Sequence, residues 1–148
     1  MKLDKKGYDL IAKEEGIVLH PYLDSVKIPT IGVGNTFYPN GKKVTMKDYP
    51  ITKEYAMEMF TIVADDFALK IDRLLKKSVN QNQFNSLVSL AYNIGISGFS
   101  KSTVLRLVNN NPCDANIAKA FLMWRNAGGK PILLNRRIRE SANYFQTK

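Results

Sequence analysis

Lys13-Glu14-Glu15-Gly16, Pro21-Tyr22-Leu23-Asp24 and Thr30-Ile31-Gly32-Val33-Gly34-Asn35-Thr36 follow one another near the start of the chain. Upstream, Leu3, Gly7, Leu10 and Ile11 recur at helical spacing, which predicts an amphipathic helix over about 3–15. Leu3 or Asp4 can start it, and Gly16 is a natural left-handed stop. Glu15 therefore falls in the last turn, where a carboxylate is mildly unfavourable and wants a reason or a basic partner. Downstream, over 17–45, glycines and prolines punctuate short apolar runs. They predict a small antiparallel sheet with turns near Asp24-Ser25-Val26-Lys27 and Pro39-Asn40-Gly41-Lys42. Strand alternation puts Ile31 and Val33 on one face and Thr30, Gly32 and Gly34 on the other. The second face has a hydroxyl followed by two positions with no side chain, so a bulky ligand can approach the backbone there.

Beyond the sheet, Tyr55, Met59, Ile62, Val63, Phe67, Ile71, Leu74 and Leu75 keep a helical period over about 52–77, with Thr52 as the cap. A helix of about 25 residues spans about 37 Å and suits a spine between two lobes. Asn80 caps a segment through Tyr92, and Gly95 and Gly98 break it. Helices over 102–107, 114–124 and about 133–145 follow. The expectation is one α+β domain over 1–148: a sheet lobe at about 16–50, the spine at about 52–77, and a helical lobe at about 78–148 joined by helix 3–15. A binding cleft is expected between the lobes.

Composition narrows the function. The 148 residues are 45% hydrophobic and 24% charged, ordinary values for a globular domain. One cysteine, Cys113, excludes an internal disulfide, and no histidine-base pattern surrounds it, so it reads as a plain thiol in a loop or at a helix start. With 22 basic and 13 acidic residues the net charge is +9, which favours anionic partners such as nucleic acid, anionic membrane or bacterial wall polymers. No apolar run is long enough to span a bilayer, and Met1-Lys2-Leu3-Asp4-Lys5-Lys6 lacks the apolar stretch of a signal peptide, so no membrane anchor or export signal is expected. No metal-ligand cluster and no phosphate-binding loop is present in the sequence, so no cofactor and no metal are expected.

Two carboxylates and a hydroxyl at a helix-to-hairpin junction can supply an acid, a base and a clamp for water. Glycoside hydrolysis needs that set: a protonated carboxyl for the leaving oxygen and an ionised one on the other face of the sugar. The three motifs quoted above resemble the phage-type lysozyme (endolysin muramidase) family. So do Gln81-Asn82-Gln83-Phe84-Asn85-Ser86-Leu87-Val88-Ser89-Leu90-Ala91-Tyr92-Asn93-Ile94-Gly95, then Phe121-Leu122-Met123-Trp124-Arg125-Asn126-Ala127-Gly128-Gly129-Lys130 and Arg136-Arg137-Ile138-Arg139-Glu140. The resemblance covers nearly the whole chain.

That resemblance implies a muramidase cutting the β-1,4 bond from N-acetylmuramic acid to N-acetylglucosamine in peptidoglycan, with inversion, for host-cell lysis. It maps the acid onto Glu15, not Glu14, and assigns Asp24 and Thr30 to the attacking water. It implies sugar contacts at Gly32, Gly34 and Asn93, the last through its amide to an N-acetyl group. Glu14, Arg136, Arg137 and Arg139 are implied as supports, the arginines packing against the first helix and holding Glu14 or Glu15. A cation beside Glu15 lowers its pKa while a general acid needs it raised, so desolvation with substrate bound must dominate. Tyr22, Gln83 and Trp124 are weaker candidates. Asn35 departs from relatives that carry histidine there, which removes a histidine–carboxylate pair. His20 reads as a surface or hairpin residue.

Peptidoglycan is then the partner, with no specific nucleic acid and a monomer expected. The protein is expected to gather in the host cytoplasm and reach the wall after membrane permeabilisation. Two other readings stay open at this stage: an inactive polyanion- or wall-binding module, and a bacterial wall-remodelling muramidase. Against the module, the basic residues are dispersed and no zinc-finger spacing, aromatic–glycine RNA motif or helix-turn-helix is evident.

Overall fold

The computed structural model describes residues 1–147; the last position of the expected helical lobe, 148, lies outside them. Seven helices and one two-stranded antiparallel sheet make an α+β fold among the described residues. In order they are α1 Lys5–Glu15, β1 Val18–Leu23, β2 Pro29–Gly32, α2 Lys53–Leu74, α3 Gln81–Ile94, α4 Ile96–Ser100, α5 Thr103–Asn110, α6 Asn116–Leu122 and α7 Leu134–Tyr144. The chain divides into two compact units, Ile11–Ala64 on one side and Met1–Leu10 with Asp65–Lys148 on the other.

The Ile11–Ala64 unit contains the end of α1, the sheet and the start of α2. Gly16, at φ +76°, terminates α1, and its N–H reaches the Ala12 carbonyl at 2.9 Å. Val18 pairs with Gly32 and Tyr22 with Thr30, so the register slips between Val18 and Tyr22. Pro21, which has no N–H for the ladder, lies in that irregular stretch. The expected second hairpin is reduced to a single bridge, Phe37 with Lys43, and Val44 forms no strand. Ile31, Val44 and Met59 form a small core, with Tyr38, Ile51 and Tyr55 packed on it. Thr52 caps α2 as expected, its Oγ1 accepting from Tyr55 N–H at 3.1 Å.

The other unit is helical. Asp4 starts α1, accepting from Gly7 N–H at 2.9 Å and from Asn85 Nδ2 at 2.8 Å. The helix α2 stops at Leu74, short of the expected Lys76-Lys77. Asn109 of α5 explains the stop: its Nδ2 donates to the Leu74 carbonyl at 3.1 Å and its Oδ1 accepts from Lys76 N–H at 2.8 Å. This satisfies a helix-end carbonyl that otherwise lacks a partner. Asn80 caps α3 in a reciprocal box with Gln83, which accounts for Gln83 without a sugar. The short α4 was not expected. Gly98 interrupts the sequence pattern, yet in the fold it is the place where the Trp124 ring closes in, 3.3 Å from where a Cβ would stand. Phe84, Leu87, Val88, Phe99, Val108, Ile117 and Phe121 fill the core of this unit.

Candidate active site

Glu15, Asp24 and Thr30 all belong to the Ile11–Ala64 unit, carried by the last residue of α1, the loop after β1, and β2. Glu15 and Asp24 are half-buried and Thr30 is buried. One residue, Ile28, ties two of them together through its backbone. The Ile28 N–H donates to Asp24 Oδ1 at 2.9 Å, and the Ile28 carbonyl accepts from Asp24 N–H at 3.0 Å and from Thr30 Oγ1 at 2.8 Å. Val26 N–H also donates to Asp24 Oδ1, at 2.9 Å. Asp24 therefore closes its own turn with one carboxylate oxygen, an Asx arrangement that aspartate favours in loops. Its Oδ2 makes no hydrogen bond among the described residues. The Thr30 hydroxyl donates its one hydrogen bond to the Ile28 carbonyl, so it offers lone pairs to anything else.

Tyr22, a weaker candidate in the sequence, stands beside two of these residues in the fold. It lies across the sheet from Thr30, and partners in an antiparallel pair share a face. Burial raises its phenol above the usual range, and the charges of Glu15 and then Asp24 raise it further. Tyr22 is thus close enough to feel both carboxylates. The signal was available: Tyr22 stands two residues before Asp24, and a hairpin turned at 24–27 brings it back against Thr30.

The expected glycine face is corrected. Gly32 does not present an open side. A Cβ there would meet Asn35 Oδ1 at 3.3 Å, Ala56 at 3.7 Å and Ile51 at 3.8 Å. Its φ of +70° turns the chain out of the strand, so the alternation carried on to Gly34 does not hold. Gly32 is needed for that turn and for packing, whereas Gly34 is exposed at φ +74°. Asn35 is buried and structural, its Oδ1 accepting from Val33 N–H at 3.3 Å while its backbone pairs with Ile31. His20 is exposed, and Cys113 is an exposed free thiol.

The other candidates belong to the helical unit. Glu140, which was not singled out as a candidate, is fully buried and accepts from Arg136 Nε at 3.1 Å, from Arg137 Nη1 and from Ser89 Oγ. The spacing pointed to it, for Glu140 lies four residues after Arg136 and three after Arg137, neighbours on one helical face. Arg136 Nη2 also donates to the Ser89 carbonyl at 3.2 Å. Arg137 Nε donates to the Trp124 carbonyl at 2.9 Å and Arg137 Nη2 to Asn93 Oδ1. Trp124 itself is half-buried. Glu14 is half-buried and Arg139 exposed. Among the described residues, no group of three or more His, Cys, Asp or Glu is placed to hold a metal ion.

The phage lysozyme family profile matches residues 12–140. The chain is 42% identical over 146 residues to the endolysin of Salmonella phage P22, covering 98% of this chain and 99% of that one. It is 36% identical to the endolysin of Bacillus phage PZA, covering 96% of this chain and 54% of that one. A crystal structure of a P22 lysozyme mutant superposes with TM-score 0.86 at 40% identity, covering 99% of each chain. The endolysin of Escherichia coli O157:H7 phage FAHEc1 superposes at 0.90 with 34% identity, over 100% of this chain and 96% of that one. A domain profile spanning most of the sequence, near-full-length relatives and matching folds agree: this chain belongs to the phage lysozyme family, a peptidoglycan-hydrolysing glycoside hydrolase of the endolysin kind.

Proposed function

We propose that this lysozyme cuts the β-1,4 bond from N-acetylmuramic acid to N-acetylglucosamine with inversion, using Glu15 as general acid and Asp24 with Thr30 as the water-holding pair. The observation that supports this most is the backbone of Ile28. Its N–H occupies Asp24 Oδ1 and its carbonyl accepts the Thr30 hydrogen bond, so the pair offers Asp24 Oδ2 and a Thr30 lone pair. Both are acceptors. A water held by both gives each a hydrogen and keeps a lone pair for the anomeric carbon. Asp24 then takes the proton as the oxygen attacks, while Glu15 protonates the leaving oxygen.

Within the same reading, the Gly34 backbone and the Asn93 amide contact the sugars, and Arg136, Arg137, Arg139 and Glu14 support the site. The chain works as a single lysozyme domain and a monomer, without metal or cofactor. It accumulates in the host cytoplasm and meets the wall after the membrane is breached. Among the described residues no helix is long and apolar enough to cross a membrane, which is compatible with that order of events.

The test is turbidity clearing of purified cell walls. Glu15→Gln keeps the side-chain shape and removes the proton to be donated, so the rate should fall by about 10² to 10⁴. Glu14→Gln is the control and should stay within about threefold of wild type. The reverse ranking would move the acid to Glu14. Proton NMR of the first product should show the inverted anomer, whereas a retained anomer would make Asp24 a covalent nucleophile.

A further inference from the structure

We infer that Arg137 sets the polarity of the Asn93 amide, so that Asn93 acts toward the glycan only as a donor and selects N-acetylated over N-deacetylated sugar. This rests on the reading of Asn93 as a sugar contact. The argument starts from Arg137, which is fully buried and cannot turn freely. Its Nε is held by the Trp124 carbonyl at 2.9 Å, and its Nη1 by Glu140 Oε1. Glu140 is itself fixed by Arg136 Nε at 3.1 Å and by Ser89 Oγ. The remaining nitrogen, Nη2, faces the Asn93 side chain at the end of α3.

A guanidinium has five donors and no acceptor, and it stays charged at every pH the protein meets. An amide facing it must therefore present oxygen. The ambiguity between oxygen and nitrogen that attends most asparagines is removed here by chemistry. With Oδ1 committed, Nδ2 points elsewhere, and it makes no hydrogen bond among the described residues. Among the described residues no buried side-chain nitrogen or oxygen lacks a partner, so the half-buried Asn93 must show Nδ2 to solvent. What it shows is two N–H donors.

Such a group pairs with an acceptor. A 2-acetamido sugar carries a carbonyl oxygen, which fits. A sugar whose 2-amine is free carries an ammonium near pH 6, which is donor only and cationic. Donor against donor leaves both unsatisfied and displaces the water that served them. Reorienting the amide to offer its oxygen would turn Nδ2 onto the Arg137 guanidinium, so the side chain cannot adapt. A solvated asparagine would flip and discriminate little. The buried arginine is what converts an ambidextrous amide into a one-way donor.

The test measures kcat/KM on soluble glycan fragments, N-acetylated and chemically N-deacetylated, at pH 6. Wild type should prefer the acetylated fragment. Asn93→Ala should lower kcat/KM on it by about two- to tenfold, mainly through KM. Asn93→Asp keeps an oxygen for Arg137 and offers a second oxygen, an acceptor, to the sugar. It should shift the acetylated-to-deacetylated ratio at least about tenfold toward the deacetylated fragment. Arg137→Lys keeps a charge but cannot hold Trp124, Glu140 and Asn93 in one plane, so its selectivity ratio should fall toward unity. Circular dichroism checks that it folds. If it does not, the partly exposed Asn93→Asp decides.

The outcomes separate two failures. An unchanged KM in Asn93→Ala would end the sugar-contact reading on which the inference stands. A weakened Asn93→Ala with an unshifted ratio in Asn93→Asp would keep the contact and overturn the fixed polarity. A folded Arg137→Lys with wild-type selectivity would overturn the role of Arg137.

Discussion

Asp24 has two tasks that substitution can separate. Its Oδ1 accepts from Val26 N–H and Ile28 N–H, each at 2.9 Å, and so holds the turn between the strands. Its other oxygen is the proposed base. Asparagine preserves an oxygen for the two amides and removes the basicity. Alanine removes both. Hydrogen bonds to a charged acceptor are worth about 1.5–3 kcal/mol each when buried. These amides lie on an exposed loop where water replaces the lost partner, so about 1 kcal/mol each is the better figure, or about 2 kcal/mol for Asp24→Ala. For a chain of this size that lowers Tm by about 4–8 °C. Asp24→Asn keeps both bonds to a neutral acceptor and should lose about half as much. Activity should not divide this way, since both variants lack the base and should clear walls about 10² to 10⁴ times more slowly. Urea unfolding followed by circular dichroism gives the stabilities, and wall turbidity gives the rates. Equal stability of the two variants would refute the account of the turn. An Asp24→Asn enzyme within about tenfold of wild type would refute the base.

Glu140→Gln should destabilise by about 3–5 kcal/mol, because it takes a buried carboxylate from two guanidinium groups; breaking the exposed pair Lys5–Asp9 with Asp9→Asn should cost far less. Urea unfolding checks the contrast, and similar losses would show that burial is not what matters. Tyr38 and Tyr8 are each pushed up to about 12 from 10.0, by burial and by donation to Asp48 and Asp65 respectively. The protonated phenol is favoured in the fold, so its stabilisation is complete below about pH 10 and drains away as pH rises to about 12. Tyr8→Phe/Tyr38→Phe should therefore show a shallower fall of Tm over that window than wild type, and parallel curves would reject the assignment.

How much was legible follows from how local each feature is. The stop of α1 was readable because Gly16 needs nothing beyond its own backbone, and the caps at Thr52 and Asn80 because donor and acceptor lie three residues apart. Helical periodicity likewise reports a buried stripe within one segment. The lysozyme family was legible for a different reason, several motifs in fixed order along one chain. The alternation carried through Gly32 to Gly34 failed because it assumes an unbroken strand, whereas Gly32 takes a positive φ.

By itself the sequence determined the α+β class, the boundaries of the longer helices to within a few residues, and the family; it also named Glu15, Asp24 and Thr30 as the proposed acid, base and hydroxyl. Tertiary structure alone decided which atoms of those residues remain for chemistry. That the Ile28 backbone occupies Asp24 Oδ1 and accepts the Thr30 hydrogen bond depends on how a turn closes in space. That Arg137 reaches Asn93, forty-four positions away, depends on packing α7 against α3. A side chain's hydrogen-bond polarity is set by its neighbour, and neighbours distant in sequence leave no periodic trace in it.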